Sequence, residues 1–422
     1  MRVGTRAVSG TGTGAAAWTR RGLLLAGLSV AAAGCGSSGG GSSTSAGDTS
    51  AAPSDAAASG STGGQASATA GPSYVPSGSP TAATSVYVAG DRGIYQLDGA
   101  TGAVEWTYSG ADTMLAGSLS NELYVTDSST GAFAALGTDA KPYWTYSLGQ
   151  KVSAPWASPV DESVYVSGAD GTVYAINDTG PQMKWTYPTG QKALAPFAPY
   201  DGGGVFVGAG GGYFYALDST SGSLNWSYQT GRAAAPQGTT RLRTLYLSIG
   251  EAIGAFDLAD GTLQWKTPTS AGPSGAPVIN DLNGGYLYAI GSNPGGISPN
   301  QLYCFDPSDG TVVWSRENSD NYLCDPALGG GLVYLGVGGT MGSVGGGNGL
   351  IVAFEEQTGA QAWSTSTVGG SLVTAATYHD GVLYGTDTAG AAFALNAATG
   401  AVIWRNTQIG GQGYSQVAAS YE

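Results

Sequence analysis

The chain has 422 residues, a formal net charge of −14 and only 10 % charged residues, against 72 glycines. So much glycine with so little charge excludes a helical bundle or coiled coil and fits a sheet protein with many tight turns. The first 85 residues carry four arginines against Asp48 and Asp55, which leaves the remainder near −16; such an acidic body, with no basic stripe, excludes nucleic-acid binding and repels anionic lipid headgroups.

The chain opens with Thr19-Arg20-Arg21-Gly22, then an apolar run from Leu23 to Ala33 that ends at Gly34-Cys35. The run is too short to span a bilayer and has the length of a signal-peptide core. Paired arginines ahead of it resemble a twin-arginine export signal. Ala32-Ala33-Gly34-Cys35 resembles a bacterial lipobox, in which the cysteine is lipidated and becomes the mature N-terminus. Residues 1–35 are therefore expected to be a lipoprotein signal and Cys35 the lipid anchor. The alternative is an ordinary signal peptide with Cys35 incidental. Residues 36–85 are nearly all Gly, Ser, Ala, Thr and Pro; such a segment buries no core and is expected to be a flexible tether with a reach of roughly 40 Å.

From residue 86 onward one unit recurs. In Val205–Trp226 a short β-branched run, Val205-Phe206-Val207, is followed by glycines, by the aromatic run Tyr213–Leu217, by the turn Asp218-Ser219-Thr220-Ser221-Gly222, and by a run ending at Trp226. Runs of this length bounded by Gly, Asp and Ser read as strands joined by tight turns. The unit appears eight times, its copies ending at Trp106, Trp144, Trp185, Trp226, Trp265, Trp314, Trp363 and Trp404. Between copies lies a further segment, often with Ala-Pro, as at Ala154-Pro155 and Ala195-Pro196. Four strands per repeat of roughly 40 residues is the period of a β-propeller blade, and eight copies predict an eight-bladed, all-β propeller of four-stranded antiparallel blades over 86–422.

The turn and third run share the template Ala-x-Asp-x-x-Thr-Gly-x-x-x-Trp. Asp98…Gly102…Trp106, Asp257…Gly261…Trp265 and Asn396…Gly400…Trp404 carry it well; Ala175–Trp185 has its glycine one place early, and Ala135–Trp144 is one residue short and lacks the glycine. The template resembles the tryptophan-docking motif of the pyrroloquinoline-quinone dehydrogenase propellers. More widely it resembles the PQQ-like β-propeller repeat family, which includes the lipoprotein scaffold of the outer-membrane barrel-assembly machine. The resemblance implies that the eight tryptophans pack between neighbouring blades, and the size of a buried Trp agrees. Blade 1 lacks an inner strand ahead of Ser85, whereas Gly413–Ala418 follows the last blade, so the C-terminus is expected to close the ring.

Candidate sites for function are few. The Trp-to-Trp spacing grows to 49 residues twice, through the insertions Ser292–Asn300 and Gly338–Gly349, both between second and third strands. These connections open on the same face as the links entering each inner strand, and two adjacent large loops there make a candidate binding rim. Trp156, Phe197, Tyr322 and Tyr414 are expected on that face near the central channel, as a ligand-stacking set or as its plug. His379, the single histidine, reads as a solvated hairpin loop, and Asp281-Leu282-Asn283-Gly284 as a turn rather than a calcium loop. Cys304 and Cys324 fall at different radii; two buried reduced thiols are expected rather than a disulfide.

A quinone dehydrogenase would need a calcium site of carboxylates and amides and, in many family members, two adjacent cysteines. Neither is present, and no cofactor residue or metal ligand can be matched. No catalytic residue stands out. The sequence therefore points to a non-catalytic, lipid-anchored binding or scaffold propeller on the extracytoplasmic side of the membrane, without a cofactor and with a protein or small ligand as its partner. The alternative is a quinone-dependent dehydrogenase or another exported propeller enzyme.

Overall fold

The computed structural model of the chain describes residues 80–90, 92–116, 122–158, 160–198, 204–231, 237–269, 272–273, 275–280, 285–292, 300–318, 321–322, 326–338, 349–366, 373–387, 389–409 and 417–420. They form eight antiparallel sheets in chain order, the blades of the expected propeller. Blade 5 shows the plan: Gly238–Arg241 innermost, then Thr244–Ser248, Ala252–Asp257 and Leu263–Pro268 outermost, each paired with the one before.

Burial explains the residue choice along each blade. The second and third strands have neighbours on both faces, so Val205–Ala209 is buried throughout and Ala252–Asp257 all but its last residue. The outermost strand is an edge: in Leu224–Gln229 the third position, Trp226, is the buried one. The strand does not end at the tryptophan, as the sequence suggested, but runs three residues past it. In every blade the pairing of third and fourth strands slips by one residue next to the tryptophan's partner, as at Ala216/Leu217, Ala255/Phe256 and Cys304/Phe305. Such a bulge bends the edge and re-aims a side chain. The partner opposite the tryptophan is Ala135, Ala175, Ala216, Ala255, Ala353 or Ala394, which gives the template's alanine its role: it leaves room for the indole. Gln96 and Cys304 take that place in blades 1 and 6.

The inner strands are the least regular. Blade 4 keeps only bridges at Ala193 and Phe197, with Phe197 and Phe206 exchanging backbone hydrogen bonds of 2.9 and 2.8 Å. In blades 6 and 7 the inner strand is split, into Gly272–Pro273 and Val278–Ile279, and into Asn321–Tyr322 and Ala327–Gly329. Proline lacks a donor and suits these interrupted strands. The apolar core is a ring of clusters between neighbouring blades; one joins Val382, Tyr384, Ala394 and Trp404 of blade 8 to Val86, Val88 and Leu97 of blade 1.

The ring closes as expected. The inner strand of blade 1 is Val417–Ser420, paired antiparallel with Ser85–Val88; it shares Val417 and Ala418 with the segment singled out from sequence, the rest of which lies outside the described residues. Blade 1 itself starts at Ser85. Losing that strand would leave an open edge and two bare flanks, a loss on the scale of the 5–15 kcal/mol that typically holds a domain together. Deleting residues 417–422 is therefore expected to abolish a single cooperative thermal transition, while deleting residues 36–79 leaves it in place; melting curves followed by circular dichroism check both.

Candidate functional site

The best-defined constellation in the molecule is a ring of aromatic docks. Each template tryptophan reaches into the third-to-fourth-strand turn of the following blade and donates its Nε1–H to a backbone carbonyl there. Trp106 bonds Thr138 at 2.9 Å, Trp144 Asp178 at 2.8 Å, Trp185 Ser219 at 2.8 Å and Trp226 Leu258 at 3.1 Å. Trp265 bonds Pro307 at 3.0 Å, Trp314 Glu356 at 2.9 Å and Trp363 Ala397 at 2.9 Å; Trp404 closes the circle on Gly99 at 2.9 Å. A buried indole N–H needs a partner, and every dock supplies one across a blade boundary.

The turn is built to receive the ring. Its leading acid caps it from within: Asp218 Oδ1 accepts from the Ser221 amide at 2.7 Å and the Ser221 hydroxyl at 2.8 Å, and the hydroxyl bond chiefly holds the Asp218 carboxyl below the usual carboxylate range. The glycine that follows has φ near +70° in Gly102, Gly222 and Gly400 and lies flat under the indole. A Cβ on Gly261 would come 2.7 Å from the Trp226 ring. In the turn with its glycine one place early, Gly180 meets nothing within 4 Å, so Trp144 docks there by its hydrogen bond without that contact.

Sequence reading missed a second aromatic in each dock. The second or third residue of the second strand is Tyr87, Tyr124, Tyr165, Phe206, Tyr246, Tyr288, Tyr334 or Tyr384, and each ring lies 5.6–6.3 Å from its own blade's tryptophan. Tyr288 and Tyr384 donate their hydroxyls to the same carbonyls as the tryptophans, Glu356 and Gly99, both at 3.2 Å. The signal was present as apolar-Tyr-apolar, as in Val164-Tyr165-Val166, but in any one blade it is indistinguishable from ordinary strand composition.

Of the four aromatics expected at the channel, the structure describes the side chains of Trp156 and Phe197 and the backbone of Tyr322. Trp156 and Phe197 meet edge to face at 6.4 Å, and Trp156 Nε1 donates to the Ala198 carbonyl at 3.1 Å. Both are half-buried in the seams around blades 3 and 4. Tyr322 pairs by backbone with Val337, at the foot of the enlarged blade-7 loop. Tyr414, Cys35, Cys324, residues 281–284 and the insertions 293–299 and 339–348 lie outside the described residues. His379 corrects the sequence reading: it is not a solvated loop residue but the buried last residue of blade 8's inner strand, 6 % exposed, and burial lowers its pKa. The Asp380-Gly381 pair that suggested a loop is the hairpin just beyond it.

Cys304 is a free, buried thiol in the small-residue position opposite Trp314, and burial pushes its pKa up to about 12. A thiol so protonated is packing, not chemistry. Beside it lies a strongly perturbed carboxyl. Glu356, in the blade-7 turn, accepts from Asn280 Nδ2 of blade 6 at 2.8 and 2.7 Å, and burial pushes its pKa up to about 7. Among the described residues no group of three or more His, Cys, Asp or Glu side chains could hold a metal.

Charge separates the two faces of the disc. The turn face carries the template acids Asp98, Asp218, Asp257, Asp306 and Glu355, with Glu162 and Asp380 at hairpin tips, and these outnumber Lys141, Lys184 and Arg243 on the same face. The opposite face, where the links and second-to-third-strand loops lie, mixes exposed Lys151 and Lys192 with Asp170 and Glu251.

Fold and docks together define a closed, tryptophan-docked propeller of the quinoprotein-like kind. A family model described as outer membrane protein assembly factor BamB matches residues 110–248 and 249–419, and the chain belongs to that family. No curated protein matches it in sequence. Among solved structures, BamB from Moraxella catarrhalis is 21 % identical, covering 70 % of this chain and 85 % of that one with a TM-score of 0.54. Quinohemoprotein alcohol dehydrogenase from Comamonas testosteroni is 16 % identical over 71 % of this chain and 67 % of its own, also with a TM-score of 0.54. The computationally designed Ika8 protein is 14 % identical over 71 % and 87 %, with a TM-score of 0.56. At these identities the likeness is one of fold.

Two predictions follow from the docks. Gly261→Ala places a methyl against the Trp226 ring at a positive φ and is expected to cost about 1–3 kcal/mol, whereas Gly180→Ala is expected to stay within about 0.5 kcal/mol of wild type, measured by denaturant unfolding. Glu356 has a folded pKa near 7, above its ordinary value of 4.5. Its contribution is fully present below pH 4.5 and is lost as pH rises to 7. Glu356→Gln is expected to remove that loss, so the stability difference between variant and wild type grows in the variant's favour from pH 4.5 to 7.5.

Proposed function

We propose that the protein is a non-catalytic propeller, exported and lipid-anchored through Cys35 on the extracytoplasmic side of the membrane, that presents its loop face to a protein partner. The observation that carries the reading is the family match over 110–248 and 249–419. Its description names an assembly factor, and the Moraxella relative bears the same name. Three features of this chain support it. The conspicuous tryptophans already serve blade docking, burial holds the Cys304 thiol protonated, and among the described residues no group of three or more His, Cys, Asp or Glu side chains could hold a metal. The turn face is net acidic and is repelled by anionic headgroups, while the loop face has mixed charge and the feet of both enlarged loops. A disc of this kind acts by holding a partner in place; its rigidity comes from the docks and its reach from residues 36–85.

Cys35→Ser is expected to move the protein from the membrane fraction to the soluble one on cell fractionation. A variant that stays in the membrane fraction as before overturns the anchor. Titration with the quinone and Ca²⁺, followed by dye-reduction assays on alcohols and sugars, is expected to give neither stoichiometric binding nor turnover; both together would favour the dehydrogenase reading.

A further inference from the structure

Seven of the eight docks lie at boundaries where the chain runs on from one blade to the next. The eighth, Trp404 on Gly99, lies where blade 8 meets blade 1 and the ring must close on itself. Residues 80–84 cross the turn face at this seam. The Thr81 amide donates to the Asp380 carbonyl of the blade-8 hairpin at 2.9 Å, and the Ala83 amide donates to the Tyr384 hydroxyl at 2.9 Å. The Gly99 amide of blade 1 donates back to the Thr84 carbonyl at 3.3 Å. Ala83 is 3 % exposed and packs in the cluster that joins Val382, Tyr384 and Trp404 to Val86 and Leu97.

Position 99 shows that the strap is built into this blade. The dock's acceptor residue carries a side chain in each of the other seven turns, and only here is it glycine. A Cβ on Gly99 would overlap the Ala83 carbonyl oxygen. Glycine is therefore required by the close passage of the strap overhead. Tyr384 ties the parts together: its hydroxyl accepts from Ala83 and donates to the Gly99 carbonyl that also takes Trp404. The strap thus roofs the closing dock and bonds to both blades it joins.

We propose that residues 80–84 are a latch on the closing seam, so that blade 8 and blade 1 part only after the strap has left. The strap lies between the N-terminal segment and the first strand of the ring, so a pull on that segment reaches the latch before it reaches the C-terminal closing strand. The latch is separate from the Cys35 reading: it needs only the strap's own contacts and stands whether or not the chain is lipidated.

Amide hydrogen exchange by mass spectrometry on the full chain tests it with two variants. Gly99→Ala adds a methyl beneath the strap; Ala83→Pro removes the amide that donates to the Tyr384 hydroxyl and leaves every residue of both blades unchanged. Both are expected to speed exchange about tenfold or more in Ser85–Gly90, Val417–Ser420 and Val382–Asp387, with blades 3 to 5 protected as in wild type. Faster exchange confined to the strap, with Ser85–Gly90 and Val417–Ser420 still protected, would show a passenger rather than a latch and overturn the proposal. Uniform loss of protection across all blades in both variants would overturn it too, since the contact would then not be local to the seam.

Discussion

The structure depends on one bond repeated eight times, from an indole N–H to a carbonyl in the next blade's turn. Burying a tryptophan removes some 150–250 Å² from water, but its N–H must find an acceptor or the gain is offset. Each turn presents that acceptor by arching its backbone, and the arch needs an Asp, Glu or Asn side-chain oxygen to cap it and, in six of the eight turns, a glycine under the ring. The template's spacing follows from this geometry. So does the placing of Ala, Gln96 or Cys304 opposite the indole, and the bulge that turns the indole toward its neighbour. Because Trp404 bonds Gly99, the chain of docks has no free end.

Features set by local chemistry were legible in the sequence. The Asp-to-Gly turn and the tryptophan after it are contained in a dozen residues, so blade number, strand count and C-terminal closure could be read directly. What depends on distant contacts was not. The second-strand tyrosines look like any strand residue until the tryptophan beside them is placed. His379 was read as solvated because Asp380-Gly381 marks a hairpin, yet a hairpin signal does not say on which side burial begins. Gly99 looked like one more turn glycine; only the strap passing above it, from residues 80–84, gives the reason. The candidate site was legible only as a face: the enlarged loops could be assigned to one side of the disc, but Trp156 and Phe197 proved to fill seams as much as to line a channel.

The same economy bears on function. A propeller can carry catalysis when its channel supplies metal ligands, a cofactor cradle or an acid–base pair. Here the perturbed groups are bound up in structure. Glu356 bridges blades 6 and 7 through Asn280, Cys304 fills the space beside an indole, and His379 is packed at the end of an inner strand. Beside these groups stand shape and charge: a rigid disc with a net acidic turn face, and a loop face of mixed charge with the feet of the two longest insertions.

That difference between faces can be measured where the protein works. A photo-crosslinking amino acid placed singly at Lys151 or Lys192 on the loop face, or at Asp139 or Asp260 on the turn face, reports what touches each side in living cells; all four positions are exposed. The account predicts that the loop-face positions crosslink to one and the same protein and that the turn-face positions do not. Crosslinks from the turn face alone, or no protein adduct from either face, would contradict it.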